Sequence, residues 1–113
     1  MNIAEYIEQN MDNDSCFVNV FYSKFAKDVG LKDRRTAKEW IESDLQELYQ
    51  CQFIKNNSIG RVQSCLIREM WISTTVVCIE FSHWIYQLRA ANPHWLSDIL
   101  QQTRMNNYIV KGD

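Results

Sequence analysis

The fold of this 113-residue chain depends most on the stretch CFVNVFYSKFAKDVGLKDRRTAKEWIESDLQEL, residues 16–48. Residues 16–20 are rich in β-formers and short enough for one strand. Phe21, Phe25 and Val29 then recur at helical spacing, and Gly30 stands where a left-handed residue would end that helix. After a charged loop at residues 32–35, a second helix is predicted from one apolar face, made of Ala37, Trp40, Ile41, Leu45 and Leu48. The stretch therefore predicts a strand and two helices with a short basic connection.

The flanking segments add a hairpin and three further helices. Residues 3–9 predict a short amphipathic helix, and residues 53–72 predict a β-hairpin whose turn lies at residues 56–60. Ser73-Thr74-Thr75 is predicted to cap a helix with an apolar stripe, made of Val77, Phe81, Trp84, Ile85 and Leu88. Asn92 and Pro93 predict the start of a last helix, whose apolar residues are Trp95, Leu96, Ile99 and Leu100.

Together these elements predict an α+β protein. We expect one small domain over residues 1–113, with its core at about 17–100, containing a helix pair, a β-hairpin and two C-terminal helices. The composition agrees, because 46% of the residues are hydrophobic and the chain has only 3 glycines and 1 proline.

The four cysteines show no metal-binding or disulfide pattern. Cys16, Cys51, Cys65 and Cys78 form no CxxC pair, so free and mostly buried thiols are predicted. The first residues lack a secretion signal, and no apolar run is long enough to span a bilayer. A cytoplasmic location is expected from these features, because the cytoplasm keeps thiols reduced.

Catalytic and cofactor motifs are missing from the sequence. The three glycines assemble neither a GxGxxG nor a P-loop. Glu80-x-x-His83 has the spacing of half a di-iron site but lacks a second copy, and His83 lies off the apolar stripe. We therefore expect a protein that is not an enzyme and holds no cofactor and no metal.

The charge is unevenly distributed along the chain. The net charge is -2, yet the segment 24–38 contains six basic residues and two acidic ones. Within it, Lys32, Arg34, Arg35 and Lys38 lie at a predicted helix N-terminus, where backbone N–H groups also favour a phosphate. A solvated charged turn is the alternative interpretation. Residues 1–14, in contrast, carry four acidic side chains and no basic one.

Several of these segments resemble the KilA-N domain of bacteriophage and large DNA virus proteins, over residues 17–100. The similar motifs are Phe17-Val18-Asn19, Glu39-Trp40-Ile41, Met70-Trp71-Ile72, residues 79–85 and Pro93-His94-Trp95. The chain departs from the family at Asn19-Val20-Phe21, where Asn-Ala-Thr is usual, and at Ser73-Thr74, where His-Pro is usual.

The resemblance implies a winged-helix-like domain that binds double-stranded DNA and acts in gene regulation or takeover of the host cell. On that basis the predicted hairpin could act as a wing, with its polar side chains on DNA: Lys55, Asn56, Asn57, Arg61 and Gln63. An ordinary polar hairpin tip is the alternative. The oligomeric state is left open, a dimer included.

A protein inhibitor is the competing class of function. An antirepressor, or an antagonist of a host defence complex of the anti-CRISPR type, would use the same scaffold to bind a host protein. The acidic N-terminal segment and the negative net charge favour this alternative, because an acidic face can mimic DNA toward a basic protein.

Overall fold

The computed structural model describes the backbone of residues 1–50, 52–57 and 60–112, and the side chains of residues 1–50 and 65–105. The first half of the chain folds as α1 (Ile3–Asn10), β1 (Phe17–Phe21), α2 (Tyr22–Val29) and α3 (Arg34–Tyr49). Four strands follow, β2 (Gln52–Asn57), β3 (Gly60–Cys65), β4 (Ile67–Ile72) and β5 (Val76–Phe81). The chain closes with α4 (Ile85–Ala91) and α5 (Trp95–Gly112). The α+β class is therefore confirmed.

The strands form two separate antiparallel sheets. One has three strands in the order β1-β5-β4, and the other is the hairpin of β2 and β3. In the three-stranded sheet Asn19 lies opposite Cys78, and Cys78 lies opposite Trp71. The central strand β5 is thus the last of the strands in the sequence.

Residues 73–81 are the main error of the sequence-based prediction. Ser73 and its neighbours do not cap a helix: the Ser73 hydroxyl donates to the carbonyl of Val76 (2.9 Å) within the turn that joins β4 to β5. Along β5 burial alternates, with Val77, Ile79 and Phe81 in the core. Hydrogen bonding to two neighbouring strands fixes the period of two, and the helix begins only at Ile85.

The predicted hairpin over residues 53–72 is correct in part. The strands β2 and β3 pair in antiparallel orientation, with Asn57 opposite Gly60, but the segment also contains β4, which pairs with β5 instead. The three-stranded sheet therefore contains a second hairpin, β4–β5, whose turn is Ser73-Thr74-Thr75.

The core lies between the inner face of this sheet and the helices. It includes Val18 and Val20 of β1, and the apolar faces of α2 and α3. Trp40 differs from its predicted place on the apolar face of the helix, since it is 51% exposed, and Trp71 of β4 is 50% exposed as well. On α3, buried Ala37, Ile41, Leu45 and Leu48 occupy a narrow face that leaves Trp40 at its border in solvent.

The thiols are only partly buried. The described cysteines are free, as expected, but only Cys16 is buried, Cys78 is half-buried and Cys65 is exposed. Cys51 lies outside the described residues. Cys65 is the last residue of β3, and the buried Leu66 separates it from β4.

Candidate nucleic-acid interface

The helix pair α2–α3 is joined by a tight turn. Gly30 ends α2 with a φ of 80°, a left-handed conformation that glycine adopts without strain. The N–H of Leu31 donates to the carbonyl of Ala26 (2.8 Å), which closes the helix end. Only residues 30–33 separate the two helices, so the last turn of α2 and the first turn of α3 lie side by side.

Asp33 is the N-cap of α3. Its carboxylate accepts the N–H of Thr36 at 2.8 Å. This hydrogen bond from Thr36 holds the pKa of the Asp33 carboxyl below its usual range. The N–H of Thr36 is therefore already occupied by a carboxylate, and phosphate binding at the other N–H groups of this helix end stays a prediction.

The basic side chains predicted from the sequence do surround this turn. Lys32, Arg34 and Arg35 are exposed, and Lys38 is half-buried one turn further along α3. Arg35, 91% exposed, pairs with Glu39 at 3.9 Å, and Lys38 pairs with Glu42 at 3.8 Å.

Three cations of this region differ from these pairs. No carboxylate of the described residues lies within salt-bridge distance of Lys27, Lys32 or Arg34. They come from the end of α2, the connecting turn and the start of α3, so we call them the open cations. Open cations are available to an anionic partner without first breaking an ion pair.

The β4–β5 turn is attached to the helix pair by Tyr22, the first residue of α2. The Tyr22 hydroxyl donates to the carbonyl of Ser73 (3.2 Å), and the N–H of Tyr22 donates to the carbonyl of Thr75 (3.1 Å). The ammonium of Lys38 stands 5.9 Å from the centre of the Tyr22 ring. Burial raises the pKa of the Tyr22 hydroxyl, which keeps it a proton donor in this contact.

Farther along α3 the charge changes sign. Glu39, Glu42, Asp44 and Glu47 follow the basic turn, and Arg104 of α5 binds two of them, Asp44 at 2.6 Å and Glu47 at 3.0 Å. Burial raises the pKa of Asp44 despite the facing Arg104. Positive charge is therefore confined to the N-terminal end of α3.

The residues of the predicted wing lie on the β2–β3 hairpin. Lys55, Asn56, Asn57, Arg61 and Gln63 lie on β2 and β3, and their side chains fall outside the described residues.

The acidic segment at the N-terminus is less exposed than the sequence suggested. The carboxylate of Glu8 is buried against α5, where it accepts the N–H (2.7 Å) and the hydroxyl (2.5 Å) of Ser97. Glu5 lines a cavity of about 490 Å³ between α1 and α5. Exposed carboxylates remain at Asp12 and Asp14.

The other candidates from the sequence are not brought together into a site. Glu80 lies on β5 and pairs with Arg68 at 3.8 Å, whereas His83 stacks on Tyr86. Within residues 1–50 and 65–105, no group of three or more metal-ligating side chains converges. No helix of the described chain is long and apolar enough to cross a membrane.

A helix pair packed on a three-stranded antiparallel sheet of order β1-β5-β4 defines a winged-helix-like α+β domain. This chain is similar in structure to the WH1 domain of MSBI1.176, a replication protein isolated from a multiple sclerosis patient. The TM-score is 0.56 at 13% sequence identity, and the match covers 93% of this chain and 84% of that one. No protein-family model matches the chain, and no curated protein is significantly similar to it.

The topology also shows what sequence reasoning missed at this site. The sequence-based prediction gave only one hairpin, at residues 53–72. The structure has a second hairpin, β4–β5, and its turn is bound to the helix pair by Tyr22. Three of the six residues from Val76 to Phe81 are β-branched, but the apolar positions of this segment fit a helix as well as a strand.

Proposed function

We propose that this protein binds double-stranded DNA through the N-terminal turn of α3. The observation that carries the proposal is the group of open cations, Lys27, Lys32 and Arg34, gathered around one tight turn of a winged-helix-like fold. Phosphate contacts from such side chains provide the sequence-independent part of DNA affinity.

The charge pattern of α3 favours one orientation of the helix toward the duplex. Its later turns carry carboxylates, which phosphates would repel, whereas its first turn carries Arg34 and Arg35. We infer that α3 meets DNA with its N-terminal end and that Glu39 and Glu42 stay away from the backbone. The β4–β5 turn, held by Tyr22 beside the same end, offers the exposed residues Ser73, Thr74 and Thr75 for further backbone contacts.

A phage- or virus-encoded regulator of the KilA-N type remains our proposal for the biological role. It is supported by the sequence motifs described above and by the similarity of the fold to a domain of a replication protein. The competing role, an inhibitor with an acidic surface, is supported less, because the Glu8 carboxylate is buried and bonded to Ser97.

Duplex binding measured by fluorescence anisotropy over a series of salt concentrations tests the proposal. Replacing Arg34 and Arg35 by Glu should weaken binding to all sequences and flatten the slope of log affinity against log salt by roughly two, about 0.9 for each lost contact.

Arg34→Gln and Arg68→Gln form a matched control pair. Both remove one exposed arginine, but Arg68 lies on β4 and pairs with Glu80. We expect Arg34→Gln to reduce the salt slope by about 0.9 and Arg68→Gln to leave it unchanged. Equal effects of the two variants would show that only the net charge matters, and a wild-type protein without salt-sensitive duplex binding would refute the proposal.

A further inference from the structure

The strand β1 is an edge of the three-stranded sheet, and among the described residues no other strand pairs with its outer side. The order β1-β5-β4 leaves β1 and β4 at the two edges. The β4 edge carries the charges of Arg68 and Glu69, and its register is irregular between Ile67 and Glu69. Charges and bulges are the devices that keep edge strands from pairing with other chains. The segment Phe17–Phe21 has no charge, no proline and a regular register.

The backbone of Asn19 points toward this open edge. At one end of β1 the N–H of Phe81 donates to the carbonyl of Cys16 (2.8 Å), and at the other the N–H of Tyr22 donates to the carbonyl of Thr75 (3.1 Å). Residues of an antiparallel strand face their partner strand alternately, so the even-numbered positions of β1 bond to β5. The N–H and C=O of Asn19, an odd-numbered position, therefore face outward.

The sequence of β1 is a palindrome, FVNVF, centred on Asn19. A second copy in antiparallel orientation would place Asn19 opposite Asn19, and Phe17 opposite Phe21. The side chains of Phe17 and Phe21 are 55% and 51% exposed, and those of Val18 and Val20 are in the core. Pairing in this register keeps each valine over its own core and brings four exposed phenylalanines into two cross-strand pairs, which stabilise sheets.

We propose that two copies of this chain form a two-fold dimer by antiparallel pairing of their β1 strands, centred on Asn19. A second copy fits this edge because the palindromic strand places like side chains opposite one another in the antiparallel register. Neither copy carries a charge there that would repel the other. The proposal does not depend on DNA binding. Five residues of strand edge bury less than the roughly 800 Å² per partner of a stable interface, so the dimer exchanges with the monomer.

Ser15 limits the strength of this pairing. Its hydroxyl accepts the N–H of Phe17 (3.0 Å) and donates to the Phe17 carbonyl (3.2 Å), so it covers the backbone at one end of the edge. The central Asn19 pair forms two hydrogen bonds at once. The N–H of Phe21 reaches the Phe17 carbonyl of the second copy only after the Ser15 hydroxyl has turned away. Ser15→Ala should therefore tighten the dimer.

Sedimentation equilibrium of the full chain, from about 10 µM to 1 mM, measures the association directly. The average mass of the wild type should rise with concentration from 13.4 kDa toward twice that value. Asn19→Lys places two like charges at the two-fold axis and should hold the mass at that of the monomer. Trp71→Lys is the control. Trp71 and Asn19 lie on either side of Cys78 in the sheet, so this variant adds the same charge on β4, away from the β1 edge, and should leave association unchanged.

Position-specific crosslinking gives a second readout that does not rely on a folded Asn19→Lys protein. In a hydrogen-bonded antiparallel pair the Cα atoms are about 5.5 Å apart, within the range that a disulfide spans. Asn19→Cys should therefore oxidise to a covalent dimer. Phe21→Cys is the control, because its counterpart in the second copy lies roughly 14 Å farther along the strand. Both variants also carry Cys78→Ser, because Cys78 lies directly opposite Asn19 on β5 and could otherwise form a disulfide within one chain. A difference between them then reports on contact between two copies at position 19.

The outcomes decide the proposal in either direction. A concentration-dependent mass that Asn19→Lys abolishes, with selective crosslinking of Asn19→Cys, supports it. A wild type that remains at 13.4 kDa at the highest concentration overturns it. Loss of association in Trp71→Lys but not in Asn19→Lys also overturns it, since the sheets would then meet face to face.

Discussion

The guanidinium of Arg89 binds the loop between α1 and β1: its Nη1 lies 2.7 Å from the carbonyl oxygen of Ser15. The same group donates to the carbonyls of Asp12 and Asn13 and stacks on the ring of Tyr86, 4.9 Å from the ring centre. One side chain of α4 therefore holds a loop that lies more than 70 residues earlier in the chain.

Replacing Arg89 by Met keeps an unbranched apolar stem but removes the guanidinium and its donors. We expect the free energy of unfolding to fall by about 1.5–3 kcal/mol, the range for hydrogen bonds that involve a charged group. Urea denaturation followed by circular dichroism measures the change. Arg89→Lys retains the charge with fewer donors, so its free energy of unfolding should lie between those of the wild type and Arg89→Met. An Arg89→Met protein as stable as the wild type would show that the loop holds its position without Arg89.

Two tryptophans should differ sharply in their contribution to stability. Trp95 is 3% exposed and packs edge-on against Phe81, with ring centres 5.4 Å apart, whereas Trp40 is half exposed. Trp95→Ala should lower the free energy of unfolding by about 3–5 kcal/mol, the cost of emptying a large aromatic site in a core. Trp40→Ala should change it by less than about 0.5 kcal/mol. A large loss of stability in Trp40→Ala would mean that the Trp40 ring makes a contact that the structure does not show.

Reaction with a thiol reagent should separate the cysteines by their burial. Cys65 is exposed and should be modified rapidly in the native protein, whereas Cys16 is buried and should react only when the chain unfolds. Mass spectrometry of peptides taken at successive times assigns each site. Equal rates at Cys65 and Cys16 would contradict the structure.

The N-cap of α3 should make stability depend on pH. The pKa of Asp33 is lowered by the hydrogen bond from Thr36, so the ionised form is favoured in the folded protein. Its contribution is present at neutral pH and is lost as the pH falls through this lowered pKa. Asp33→Ala should lower Tm at pH 7, and the difference from the wild type should disappear in strong acid. A difference that persists there would mean that Asp33 acts by something other than its charge.

The helix pair could be predicted from the sequence because its signals are local. Gly30 and Asp33 define the end of one helix and the start of the next from their own backbone and side-chain chemistry. The exposed arginines at the start of α3 followed directly from that prediction.

The strand β5 could not be assigned by the same reasoning. Val77 and Phe81 fit a helical stripe that continues to Trp84, and they fit an alternating strand equally well. Pairing with β1, about 60 residues earlier, decides between the two periods, and no local window contains that information. The correct position of the β4–β5 turn beside Tyr22 was missed for the same reason.

The order of the sheet has a consequence for synthesis of the chain. Because β5 lies between β1 and β4, the sheet cannot be completed until residue 81 has left the ribosome. Until then the nascent chain presents β1, an uncharged, aromatic and β-prone segment, without its partner strand β5, and such segments are prone to aggregate. Slow translation between β1 and β5 therefore prolongs the interval in which β1 is left unpaired.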